Sequence, residues 1–79
     1  MHLDIITPEK TLYSGDIELV KLPGTLGSFE VLKNHAPIIS TLMQGKIKVK
    51  DEVGMITYFD ITSGVVEVLN NTVKVLVES

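Results

Sequence analysis

The sequence has no cysteine, no tryptophan and no arginine, and alanine occurs once, at Ala36. Without cysteine there is neither a disulfide scaffold nor a thiolate metal site. Without arginine there is no bidentate guanidinium fork for a phosphate. Seven lysines stand against ten acidic residues, a net charge of −3. That balance argues against a nucleic-acid binder, which needs a strongly basic face. No apolar run approaches the roughly 20 residues of a membrane-spanning helix, and no basic-then-apolar leader opens the chain. These absences predict a soluble intracellular domain.

What remains is rich in Val, Ile and Thr. The apolar fraction is 44% in 79 residues, and mean hydropathy is +0.30. A chain of this size buries only about 60% of its unfolded surface, so with no disulfide the core must supply nearly all the stability. Gly or Pro recurs between short β-branched runs, which is how a small all-β sandwich or barrel reads. The runs predict strands at His2–Thr7, Lys10–Tyr13, Asp16–Leu22, Ser28–Leu32, Ile38–Leu42, Lys46–Lys50, Met55–Ile61, Gly64–Leu69 and Thr72–Val77. Within Lys46–Lys50 the alternation is cleanest, with two apolar residues in and three lysines out. Asp51 to Gly54 should turn that strand into the next. Asn70-Asn71 reads as a two-residue hairpin turn, because Asn tolerates positive φ. Pro23-Gly24 reads as a turn in which Pro fixes φ and Gly takes the left-handed position. Nothing marks a linker or a repeat, and one domain is expected to fill residues 1–79.

The alternation breaks repeatedly in one direction. Ile5-Ile6, Leu19-Val20, Ile38-Ile39, Val65-Val66 and Val68-Leu69 put apolar side chains on both faces of their strands. A sandwich buries only the facing surfaces of its sheets, and monomers rarely expose large apolar patches. An outer face covered by a partner is therefore expected.

Little in the chain carries chemistry. His2 and His35 are the only side chains suited to acid–base work at neutral pH. His2 follows the first residue, and His35 lies in the turn Asn34-His35-Ala36-Pro37, where a hydrogen-bonding or interface role outweighs a catalytic one. No metal-ligand spacing is present. Thr62-Ser63-Gly64 lacks the Gly-x-Ser-x-Gly frame of a nucleophile elbow. The one glycine-rich loop, Pro23-Gly24-Thr25-Leu26-Gly27, lacks the Gly-Lys-Ser/Thr ending and following helix of a phosphate loop. It reads instead as a tight, exposed, contact-making turn. The chain is not expected to be an enzyme or to take a cofactor.

Three stretches resemble a known family. Met1 to Lys10, followed by Leu12-Tyr13-Ser14-Gly15, is similar to the opening of the ε subunits of bacterial F-type ATP synthases, whose mitochondrial counterparts are called δ. Leu22-Pro23-Gly24-Thr25-Leu26-Gly27-Ser28, then Phe29 to Leu32 and Asn34-His35-Ala36-Pro37, resembles the family's Pro-Gly-x-x-Gly turn, short strand and Gly-His-Ala-Pro turn. Ser63-Gly64 with Val66-Glu67-Val68 and Asn71 to Leu76 resembles its closing hairpin. The likeness runs end to end. Ser28 stands where some relatives are acidic, Glu30 where Gly is common, and Lys33-Asn34 where Pro-Gly is common. Asn34 can still adopt positive φ.

The resemblance implies a flattened sandwich of two roughly five-stranded antiparallel sheets. It also implies a non-catalytic rotor subunit, a peripheral protein on the cytoplasmic face of the bacterial inner membrane, which joins the γ subunit to the c-subunit ring and reaches the α/β hexamer through the complex. Thr7, His35 and Ser40 fall at positions that face γ in the family. Gly24, Thr25, Leu26, Gly27 and Ser28 fall where the family touches the ring. Many relatives continue into a helical hairpin that brakes hydrolysis and in some binds ATP. This chain ends at Ser79, so neither property is expected here, and Met1 leans toward a naturally short subunit. The alternatives are a lipoyl- or biotinyl-type carrier domain, with Lys50 near a hairpin as its attachment residue, or another small β-sandwich interaction module.

Overall fold

The computed structural model describes all residues, 1–79. The β-branched runs form eight strands: β1 (His2–Ile6), β2 (Thr11–Leu22), β3 (Phe29–Leu32), β4 (Ile38–Leu42), β5 (Gly45–Asp51), β6 (Ile56–Ile61), β7 (Ser63–Leu69) and β8 (Thr72–Glu78). Most show the period-two burial of a half-covered strand, and β2 shifts phase where its register shifts. In β8, Val73, Val75 and Val77 are buried between outward Thr72, Lys74, Leu76 and Glu78. In β5, Ile47 and Val49 are buried, with Lys46, Lys48 and Lys50 on the opposite side.

The strands make two layers that share β2. The first sheet runs β4-β7-β8-β1 and then the opening half of β2, which pairs with β1 from Thr11 to Asp16. From Ile17 onward β2 pairs instead with β5 and β3, and β6 completes the second sheet. Register shifts at Ile5/Ile6 and Ile17/Leu19 bend the ladder where β2 changes partners, as bulges do. A Gly24–Leu42 bridge ties the layers again at the end of β4. The principal extents, 27 × 23 × 18 Å, are those of a flattened body whose short axis holds two layers about 10 Å apart.

Three details depart from the sequence reading. Lys10–Tyr13 and Asp16–Leu22 are one strand, because Ser14 and Gly15 stay extended opposite Asp4 and Leu3; sheet pairing overrides their turn composition. The second layer has four strands and the first five, counting β2 in both. One pairing is parallel, β1 with β8, a geometry open to them because most of the chain lies between them.

The turns follow their chemistry. Asn70 and Asn71 have φ of 51° and 59°, and Asn34 has 63°, as expected of residues that tolerate the left-handed region. Asp51 Oδ1 accepts the backbone N–H of Val53 (3.0 Å) and of Met55 (2.9 Å), closing the β5–β6 turn. Gly24, however, does not hold the left-handed position of its turn; Gly27 does, at φ 128°. Gly24 is needed for space. A Cβ there would lie 2.6 Å from the Gly27 carbonyl and 2.8 Å from the Phe29 ring.

The core is a single cluster of sixteen apolar residues drawn from every strand, so no separate second core competes with it. No buried side-chain polar atom lacks a hydrogen bond, so burial is not offset by stranded polar groups.

Candidate functional site

Register decides which member of each doubled apolar pair faces in. Ile5, Val20, Val66 and Val68 are buried, and Ile6, Leu19, Val65 and Leu69 are turned outward. Ile38 packs against the core, and Ile39 is 74% exposed. On the outer face of the first sheet the outward members fall into rows. Thr41, Val65, Leu76, Ile6 and Thr11 are successive cross-strand neighbours. Val65, Leu76 and Ile6 thus make a continuous apolar stripe across β7, β8 and β1. With Pro8 they line an open groove of about 590 Å³.

The next row is polar: Glu67, Lys74, Asp4 and Ser14 follow one another across the same sheet, with Ile39 at its edge. Here charges of alternating sign are adjacent, a favourable cross-strand arrangement. The Ser14 hydroxyl, then His2 and Lys74, hold the Asp4 carboxyl below its ordinary value of 3.8, against burial, which pushes it up. The His2 ring spans two strands, with Nε2 3.3 Å from Asp4 Oδ1 and Nδ1 3.3 Å from Asp16 Oδ1. Protonated, it donates to both.

The structure separates Thr7, His35 and Ser40. Thr7 closes the groove floor at the end of β1 and is only 7% exposed. Its hydroxyl is spent on the Thr7–Lys10 turn, accepting from the Lys10 N–H at 3.1 Å and lying 3.1 Å from the Lys10 carbonyl, to which it can donate. His35 sits in the β3–β4 connection, where its Nδ1–H donates to the Ala36 carbonyl at 2.7 Å. Ser40 lies on the edge strand β4 opposite Val66, on the core side, and donates to the Thr41 carbonyl. None of the three shares a hydrogen bond with another, and only Thr7 lines the groove.

Gly24, Thr25, Leu26, Gly27 and Ser28 do form one unit. The Gly27 N–H donates to the Gly24 carbonyl (3.0 Å), and the Thr25 N–H reaches the Thr41 carbonyl (3.1 Å). The Thr25 and Thr41 hydroxyls are 2.8 Å apart. These bonds pin the base of the loop to β4 and leave Leu26 fully exposed at its tip, at 104%. The Leu26 side chain packs against nothing within the chain.

Sequence reasoning missed Leu76, Val65, Ile6 and Pro8 as the lining of a groove. The doubled pairs signalled Ile6 and Val65 without saying which member faces out. Leu76 carried a signal too, as the apolar residue at an outward position between Val75 and Val77. Leu19 and Ile39 face out from different sheets and do not belong to one surface.

Nothing here resembles a catalytic centre, and no group of three or more His, Cys, Asp or Glu side chains is placed to hold a metal ion. Nor is Lys50 at a hairpin tip, as a carrier domain requires. It lies within β5 between Leu19 and Ile56, with its Nζ 3.7 Å from Glu18 Oε1. No helix is long and apolar enough to cross a membrane.

The chain is a two-layer all-β body with an outward apolar stripe and a fixed, exposed loop. Solved structures share its fold. Superposition on a chain of the Tetrahymena thermophila mitochondrial ATP synthase central stalk/c-ring structure gives a TM-score of 0.84 at 21% identity, covering 100% of this chain and 63% of that one. A chain of the Euglena gracilis mitochondrial ATP synthase OSCP/F1/c-ring structure gives 0.92 at 18% identity, covering 98% and 49%. In sequence, the chain is 42% identical to the ATP synthase epsilon chain of Caulobacter vibrioides over 79 residues, 99% of this chain and 90% of that one. It is 41% identical to that of Chlorobaculum tepidum, covering 96% and 86%. Against the Desulfosudis oleivorans epsilon chain it is 42% identical but spans only 59% of the relative's length.

Residues 1–79 match throughout the family described as ATP synthase, Delta/Epsilon chain, beta-sandwich domain, and the chain belongs to that family. Its relatives at 41–42% identity are named ATP synthase epsilon chains, and the chain is of that non-catalytic type.

Proposed function

We propose that this chain is a rotor part of an F-type ATP synthase that joins the γ subunit to the c ring, so that proton flow through the ring turns both as one body within the α/β hexamer. The observation that carries this reading is the in-register stripe of Val65, Leu76 and Ile6 beside the Pro8 groove. An outer sheet face should be polar, and a continuous apolar row on it is suited to being covered by another protein. On this reading γ covers the first sheet. Thr7 acts by holding the turn that carries Pro8, and His35 and Ser40 act along the β3–β4 edge. The loop Gly24 to Ser28 projects Leu26 toward the ring.

The work of such a part is mechanical: it binds two bodies and resists deformation between them. No residue of this chain would act in catalysis or hold ATP, a metal or another cofactor. Its place would be peripheral, on the cytoplasmic face of the bacterial inner membrane, within the assembled complex.

The test is reconstitution. The chain is mixed with purified γ subunit and, separately, with γ assembled on detergent-solubilised c ring from the same organism, and association is followed by calorimetry. Saturable binding to γ that Leu76→Glu weakens by about thirtyfold supports the reading. No binding by the folded wild-type chain to either preparation would sink it.

A further inference from the structure

The outer face of the second sheet is left unused by that reading, and its charges are unusual. Lys46, Lys48 and Lys50 leave β5 on the side away from the core, and Lys21 of β2 stands directly opposite Lys48. Four of the seven lysines of a chain with net charge −3 thus share one face. Directly opposed like charges destabilise a sheet.

Two of the four are neutralised. Lys46 Nζ lies 2.8 Å from Asp60 Oδ1, and Lys50 Nζ 3.7 Å from Glu18 Oε1. Lys21 has Glu30 across from it on β3, beyond ion-pair distance. Lys48 has Lys21 on one side and Tyr58 on the other, and no carboxylate faces it. It is half-buried at the centre of the group, so its repulsion with its neighbours is screened less than at an open surface. Beside it Tyr58 is 57% exposed, and Ile56 beside Lys50 is 45% exposed.

We propose that this face docks an acidic polypeptide segment of a partner protein, with Lys48 and Lys21 receiving its carboxylates and Tyr58 and Ile56 its apolar side chains. Charge complementarity sets the sign, and the strand geometry sets the form. Lys21 and Lys48 are cross-strand neighbours about 5 Å apart, so an extended segment lying over β2 and β5 brings its carboxylates to both. Phosphate would favour a concave site with arginine forks or backbone N–H groups, whereas this surface is an open strand face without arginine. An anionic bilayer is an extended plane that meets much of a chain with net charge −3, whereas a single extended segment meets only the lysine face. The inference does not depend on whether γ covers the first sheet.

The test uses the 79-residue chain and a fluorescent peptide alternating Glu and Val, with a Gln–Val peptide and phosphatidylglycerol vesicles as comparators. The Glu–Val peptide should bind saturably and more weakly as salt rises. Lys21→Gln/Lys48→Gln should weaken it by about tenfold or more, while Lys10→Gln/Lys33→Gln, which removes the same charge elsewhere, should change it by less than about twofold. Lys48→Gln alone should raise the melting temperature at low salt, because it relieves the opposed pair. Absence of saturable binding, or equal weakening by both double variants, would overturn the proposal. So would binding to the vesicles alone, which would assign the face to a membrane surface.

Discussion

The backbone N–H of Asn34 donates to Asn71 Oδ1 at 2.9 Å, latching the turn that carries His35 to the tip of the β7–β8 hairpin. Both residues sit at positive φ, so each turn is shaped by an asparagine, and the two turns hold each other. Asn71→Gly keeps the backbone freedom and loses only the latch, at an expected cost of about 1 kcal/mol. Asn71→Ala keeps the Cβ in the left-handed region but loses the side-chain amide that lets Asn tolerate it, and should cost about 1 kcal/mol more. Urea denaturation of the three proteins, read as a midpoint series at constant slope, checks the order. Equal midpoints for the two variants would remove the conformational half of the account.

The loop from Gly24 to Ser28 should divide into framework and tip. Gly24→Ala places a Cβ against the Gly27 carbonyl and the Phe29 ring, and some 2 kcal/mol or more should be lost, roughly what overpacking costs elsewhere. Leu26→Ser removes a fully exposed side chain and should leave stability within about 0.5 kcal/mol. If the loop meets the c ring, Leu26→Ser weakens ring association nonetheless. A destabilised Leu26→Ser protein would mean that the tip packs within the chain.

Inward and outward residues of neighbouring strands should behave oppositely. Ile47 is fully buried, and Ile47→Ala should cost about 3 kcal/mol. Leu76 is half exposed on the stripe, so Leu76→Glu should fold normally. If γ covers the stripe, the variant should bind γ more weakly by about 2 kcal/mol, or about thirtyfold. Thermal melts paired with calorimetric titration separate the two. Loss of folding in Leu76→Glu would place that side chain in the core.

Acid stability should depend on Asp4. Its carboxyl is held below the ordinary 3.8, first by Ser14, then by His2 and Lys74. A group whose folded value is depressed stabilises the fold above its unfolded value, and that contribution is lost as pH falls through the folded one. Asp4→Asn should therefore melt lower than wild type at pH 7, and the gap should close below about pH 3.8. Ser14→Ala should reproduce part of the difference. Melting curves that stay parallel down to the most acid pH would show that Asp4 contributes no such linkage.

Much of this was legible in the chain. The period-two runs located the strands, and Asn70-Asn71 and Asn34 carried their turns because few residues tolerate positive φ. The lysine alternation of Lys46, Lys48 and Lys50 gave the orientation of β5 directly. Where both faces of a strand are apolar, as at Ile5-Ile6 or Val65-Val66, the pattern holds no orientation; pairing register supplied it, and with it the stripe. Ser14-Gly15 reads as a turn in isolation and becomes strand only through β1. The split between Gly24 and Gly27 was hidden too, since one glycine serves space and the other φ, and composition cannot tell them apart. Thr7 was singled out by resemblance, but its role in its own turn is visible only in the hydrogen bonds.

The shared strand β2 has one more effect. Its twelve residues are laced to β1 along the first half and to β3 and β5 along the second. In a sandwich of two independent sheets, a sideways load is resisted only by side chains meshing across the layer gap. Here any slip of one layer over the other must stretch a covalent spar or unzip backbone hydrogen bonds at one of its ends. The body therefore resists shear in the plane of its layers.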